Sequence, residues 1–161
     1  MTFAALALSL VLTGPSRADS GAAPACHAQT VAKKTKLRFK RGKPITVDVV
    51  DTPMSREVGL MCRTRLPRDY GMLFVFPQEM SLNFWMKNTL VSLDIVWIGA
   101  DKKITVIHDR MKKSTVSTPD EKVAVAGGRG QYVLELPAGM ARRRGLNVGD
   151  RLTFDAAIPA K

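Results

Sequence analysis

Residues 93–108 read LDIVWIGADKKITVIH. Leu93 to Ile98 and Lys103 to His108 are rich in Val, Ile and Trp, and Gly99-Ala100-Asp101-Lys102 lies between them. β-Branched and aromatic residues suit a pleated, half-buried surface, and a short Gly-containing connection between two such runs predicts a hairpin. Similar runs extend to both sides. Ile45 to Val50 alternates, and Gly71 to Phe76 and Leu82 to Thr89 are joined by Pro77-Gln78-Glu79. Downstream, Tyr132 to Leu136 and Arg151 to Asp155 are strand-like, while Leu37 and Phe39 alternate with Lys36, Arg38 and Lys40. Only two short helices interrupt this pattern. Thr52-Pro53 supplies an N-cap and a proline for Pro53 to Met61, and Ala138 to Arg144 ends in three arginines followed by Gly145. Seven or so short strands with two short helices predict a mainly β fold, a compact sandwich or barrel. The polar segment Met111 to Gly130 reads as a mobile loop, its end Gly127-Gly128-Arg129-Gly130 as a turn.

The N-terminal end differs from this middle. Phe3 to Leu12 is an apolar run broken by Gly14-Pro15, and Ser16-Arg17-Ala18 places small residues at a cleavage site. That pattern predicts a signal peptide over residues 1–18, cut after Ala18, and a periplasmic or secreted location. A run of this length, rising 1.5 Å per residue, spans only about half of a ~30 Å hydrocarbon core, which disfavours an uncleaved anchor. No later stretch is apolar enough to span, so the mature chain is expected not to cross a membrane. Residues 19–44 read as a flexible leader with a basic run, 45–156 as one β-rich domain, and 157–161 as a tail.

The whole chain holds 25 Lys+Arg against 14 Asp+Glu, a formal charge of +11 over 161 residues. Lys33, Lys34, Lys36, Arg38, Lys40, Arg41 and Lys43 form one acid-free run, whereas residues 45–156 hold 16 Lys+Arg against 13 Asp+Glu. The basicity therefore belongs to an arm. Such an arm could meet an anionic polysaccharide or membrane surface, or it could be an edge strand whose lysines block edge-to-edge pairing. Charge runs are usually solvated faces, which favours the edge strand. Nucleic acid is not an expected partner of an exported chain. An apolar share of 45% and a charged share of 24% exclude wholesale disorder. Two Cys and two His exclude a disulfide-rich scaffold and a multi-histidine cage, and no phosphate loop or nucleophile elbow occurs. No cofactor and no metal site is expected. Cys26 and Cys62 either close a disulfide or leave a buried thiol at Cys62 and a loose Cys26. The position of Cys26 in the leader favours the second.

Several motifs follow in order: Gly59-Leu60-Met61-x-Arg63, Gly71-Met72-Leu73-Phe74-x-Phe76, Phe84-Trp85-Met86-Lys87-Asn88-Thr89, Leu93-Asp94, and Tyr132-Val133-Leu134-Glu135-Leu136-x-x-Gly139, then Gly145 and Gly149-Asp150. Over about residues 45–156 the chain resembles domain of unknown function family 192. The resemblance implies a compact β-rich domain, frequently behind a signal peptide in Gram-negative bacteria, and implies no activity. Ser92 stands where a proline is often found in the family, and Cys62 where an aromatic residue or His is more usual.

Asp94 carries the chemical question. It alternates with Leu93 and Ile95 in an apolar strand, and a carboxylate buried there would be costly unless it met a cation or several donors. One reading is a small polar site for an anionic or hydroxylated envelope ligand, built from Arg63, Trp85, Lys87, Asn88 and Asp94. Arg63 and Lys87 would hold the ligand, Asn88 and Asp94 would orient it, and Trp85 would be a stacking wall. The other reading makes Asp94 a structural strut, which takes precedence because structural pairs produce the same pattern. The function expected is a non-enzymatic binding or structural module. The alternative is an envelope-carbohydrate hydrolase or lyase, with Asp94 as general base and Lys87 or Arg63 stabilising negative charge.

Overall fold

A computed structural model describes residues 26–159; the expected signal peptide and its cleavage site lie outside them. The strands are β1 (Lys34–Leu37), β2 (Ile45–Val50), β3 (Met72–Trp85), β4 (Leu93–Ile98), β5 (Ile104–Met111) and β6 (Val125–Pro137). They form one sheet in the order β1-β2-β3-β6-β4-β5, curled into a half-barrel. All neighbours run antiparallel except β2 and β3, whose crossover carries helix α1 (Pro53–Val58). Helix α2 (Met140–Arg143) follows β6. The fold is mainly β, as the hairpin at 93–108 predicts, and β4 and β5 form that hairpin.

Strand alternation divides the core between the two faces. One face carries Leu37, Val47, Leu73, Val96, Leu134 and Phe154, with Ala141 of α2 over it. The other carries Met72, Phe74, Ile95, Trp97 and Val133, with Leu60 beyond α1 over it. Both faces of β4 are therefore covered, and all six of its residues are buried. Helix α1 starts as expected: Thr52 Oγ1 accepts from Ser55 N at 3.2 Å, and Ser55 Oγ accepts from Thr52 N at 3.1 Å. It stops at Gly59, whose φ of 47° and ψ of −127° suit glycine alone.

Four local expectations are corrected. The runs at 71–76 and 82–89 are largely one strand, β3, whose register with β6 shifts between Val75 and Met80. Pro77 is accommodated at this irregularity. Second, the segment 111–130 is not one mobile loop. Ser114 is buried and donates to Met86 O at 2.5 Å, and residues from Val125 onward belong to β6. Gly128 is strand because the Trp97 ring lies where its Cβ would be, 2.7 Å away, so any larger residue would push the indole off the sheet. Third, Arg151 to Asp155 makes isolated bridges, Arg38 to Thr153 and Lys103 to Arg151, but no strand.

The fourth correction concerns the flexible leader and the cysteines; the edge-strand reading of the basic run holds. The basic run supplies β1, an edge strand, with Leu37 and Phe39 buried in the first core. Cys26 is not loose: it is bonded to Cys62, with Cα atoms 5.5 Å apart. The segment after it is held by carbonyls at the end of α1. Gln29 Nε2 donates to Ser55 O at 2.9 Å and Gly59 O at 2.8 Å, and Arg63 Nη2 donates to Gln29 O at 3.0 Å.

Candidate functional site

The five residues singled out around Asp94 do not converge. Asp94 is fully buried on the first face, opposite Leu136. Its Oδ1 accepts from Arg110 N at 2.9 Å and Gly139 N at 2.8 Å, and its Oδ2 from Ala141 N at 2.7 Å. These amides come from a bend at Arg110, whose φ is 53°, and from the start of α2. Asp94 is thus the strut that ties β4 to β5 and α2. The neighbouring Asp109 carboxyl is raised from its ordinary pKa, chiefly by its hydrogen bond to Asp94.

The other four lie elsewhere. Arg63 is engaged with Gln29 O, sits 3.7 Å from Asp48 Oδ2 and covers the Tyr70 ring at 5.3 Å. Tyr70 donates to Asp48 Oδ2 at 2.7 Å; burial first, and this bond second, push its phenol upward. Asn88 has a φ of 52° and gives its backbone oxygen to Cys62 N at 2.9 Å. Lys87 and Trp85 do meet: Lys87 Nζ lies 5.4 Å from the Trp85 ring centroid and 2.5 Å from Asp120 Oδ1.

The second face holds the cavity that the sequence reading did not assemble. It measures about 290 Å³ and lies between α1, the Gly59–Met61 turn and β3. Phe74, Phe76, Phe84 and Trp85 provide its aromatic lining. The irregularity in β3 brings its second half back over its first. Phe84 therefore meets Phe74 edge-on at 4.9 Å, Phe76 at 6.4 Å and Trp97 at 5.6 Å. Arg56 borders the cavity with its guanidinium 4.8 Å over the Phe76 ring, donating from Nη1 to Asp51 O at 2.6 Å and Val75 O at 2.9 Å.

Glu135 is the buried acid of this cavity, whose other polar lining residues are Arg56, Glu57, Asn83 and Thr89. Its neighbours across the sheet are Met72 and Ile95, and its side chain shares the face of Val133. It is 5% exposed, and its Oε2 is buried without a hydrogen-bond partner. Burial alone pushes its carboxyl up to about 8, so the acid form dominates at neutral pH. Glu135 takes part in none of the ion pairs among the described residues. The signal for it was in view: one carboxylate inside the apolar alternation Tyr132 to Leu136, the same pattern that drew attention to Asp94. Asp48 repeats that pattern in β2 and is a structural partner of Tyr70. Among the described residues no cluster of three or more His, Cys, Asp or Glu is placed to hold a metal ion.

Fold and cavity together define a β-rich domain of one curled sheet, with a strut on one face and an aromatic, acid-floored pocket on the other. The chain belongs to the family DUF192, described as an uncharacterised ACR, whose model matches residues 35–154 and so includes most of β1. It is 27% identical over 127 residues to a UPF0127 protein of Thermococcus gammatolerans, covering 78% of this chain and 74% of that one. It is 28% identical over 126 residues to a UPF0127 protein of Pyrococcus furiosus, covering 76% and 99%. A crystal structure from Sinorhizobium meliloti 1021, described as "a putative transcription regulator", superposes with a TM-score of 0.68 at 34% identity, covering 78% of this chain and 97% of that one. A protein of unknown function from Novosphingobium aromaticivorans gives a TM-score of 0.61 at 26% identity, covering 81% and 94%.

Proposed function

We propose that this chain is an exported, non-enzymatic module that binds a small ligand in the Glu135 pocket. The observation that carries this reading is a 95% buried carboxyl with an unpartnered oxygen at the base of an aromatic cavity. Leaving such an oxygen unpaired costs about 1–3 kcal/mol, which a ligand donor or cation would recover. A cavity near 290 Å³ is at the small end for ligand sites, roughly 300–1,000 Å³, so the ligand is small. Its apolar body would lie against Phe74, Phe84 and Trp85, with one polar group against Glu135. Of the anionic or hydroxylated ligand expected from the sequence, only the hydroxylated kind suits a pocket lined by Glu135 and Glu57, and at a different site.

Export is supported by the Cys26–Cys62 bond, because such bonds persist in oxidising compartments. The exposed cations Lys36, Arg38, Lys40, Arg41 and Lys43 would turn an anionic polysaccharide or headgroup surface toward β1. No helix among the described residues is long and apolar enough to cross a membrane. The hydrolase alternative draws no support from Asp94, whose oxygens already accept three backbone amides and have no solvent access.

Two measurements test the reading. Titrating the disulfide-bonded chain with single-ring fragments by two-dimensional NMR should shift amides of Phe74, Trp85 and Glu135 in a saturable way. A set of fragments that leaves those signals unmoved would refute the pocket. N-terminal sequencing of periplasmic material should begin at Asp19, and retention of residues 1–18 in cytoplasmic material would refute export.

A further inference from the structure

Resting on that pocket reading, we propose that the ligand class is a small organic ammonium, its charge met by the Glu135 carboxylate and its carbon body by Phe74, Phe76, Phe84 and Trp85. Asp48, the other buried acid of this face, is supplied with Lys34, Arg63 and the Tyr70 hydroxyl. Among the described residues Glu135 receives no such partner: it makes no ion pair, and its Oε2 is buried without a hydrogen bond. A desolvated carboxylate needs a cation or, like Asp94, several donors, so a cationic ligand gains at this position what a neutral ligand with a single donor does not.

The aromatic lining favours the same ligand class. Ring faces are electronegative and attract cations. Two of these rings already do so within the chain, Phe76 under Arg56 at 4.8 Å and Trp85 beside Lys87 at 5.4 Å. A carboxylate ligand would face Glu135, Glu57 and the ring faces. The cavity's own cation, Arg56, has its Nη1 committed to two backbone carbonyls.

Proton bookkeeping closes without a co-reactant. Without a cation beside it Glu135 is an acid at neutral pH; an entering ammonium requires the carboxylate, so one proton leaves to solvent and no covalent bond changes. The charged and titratable groups nearest Glu135 are few. Arg56 and Glu57 come from α1, Asp48 from β2, and Arg63 and Tyr70 from the connection between α1 and β3. β3 and β4 present Met72 and Ile95.

The experiment compares benzylamine, benzyl alcohol and benzoate on the full disulfide-bonded chain by NMR titration between pH 6 and 7.5. Benzylamine should bind at least tenfold more tightly than the other two at pH 7.5, and its affinity should rise about tenfold per pH unit. Benzyl alcohol should show no such rise. Glu135→Gln should abolish the pH dependence and the amine preference. Trp85→Ala, on a half-exposed side chain, should weaken benzylamine in an otherwise native fold. If the alcohol or benzoate binds as tightly as the amine, or the amine affinity is flat with pH, the ammonium inference is overturned while the pocket stands. If all three leave the chain untouched, both are overturned.

Discussion

Replacing Glu135 by Gln keeps the shape of the side chain and removes its titration. In the folded chain the carboxyl ionises near 8, against an ordinary value of 4.5. Its folded value is the higher one, so the contribution to stability is complete below the unfolded value and is lost as pH rises through the folded one. At pH 7 the folded state must hold a proton that the unfolded chain releases, a cost of roughly 3 kcal/mol, growing to on the order of 5 kcal/mol above pH 8. Glu135→Gln escapes this cost. Urea unfolding of both proteins at pH 4, 5.5, 7 and 8.5 should give equal stabilities at the acid end and a widening advantage for Gln above it. All other titrating groups are common to both chains and cancel in the difference. Parallel curves from pH 5 to 8 would refute the reasoning, because they would mean that the carboxyl is solvated. A stabilising substitution at a pocket floor is also what a residue kept for binding should give.

Asp94→Ala leaves three backbone amides of β5 and α2 without an acceptor; a loss of about 3–5 kcal/mol is expected, read as a lower urea midpoint at an unchanged slope. An effect below 1 kcal/mol would remove its role as strut. Gly128→Ala places a methyl 2.7 Å from the Trp97 ring and should cost about 1–3 kcal/mol, with a changed near-ultraviolet circular dichroism from that indole. Reducing Cys26–Cys62, which closes a loop of sequence separation 36, should cost roughly 3–4 kcal/mol by chain entropy. Hydrogen exchange should then rise first at the amides following Cys26, and uniform exchange would contradict the tethering role of Gln29.

The sequence by itself determined the elements that depend on neighbours in the chain. The β4–β5 hairpin, the capped start of α1 and the edge position of the basic run all follow from alternation, a Thr-Pro start and clustered lysines. The family motifs, too, were legible as ordered residues. The boundaries that failed have non-local causes. Gly127 to Gly130 looks like a turn until Trp97, distant in sequence, occupies the space above Gly128. Cys26 looks loose until Gln29 reaches the carbonyls ending α1.

The site shows the same division. Asp94 and Glu135 are indistinguishable in sequence, single acids in apolar strands separated by 41 positions. Strand pairing decides between them: Asp94 lies opposite Leu136 and Glu135 opposite Ile95, which sends them to opposite faces of one sheet. On one face the start of α2 satisfies Asp94 with amides; on the other α1 and β3 set Glu135 against an aromatic cavity. Composition and period specify that a carboxylate will be buried. Only the tertiary structure decides whether the chain itself supplies its partner or leaves that place to a ligand, because the partners come from segments that meet in space alone.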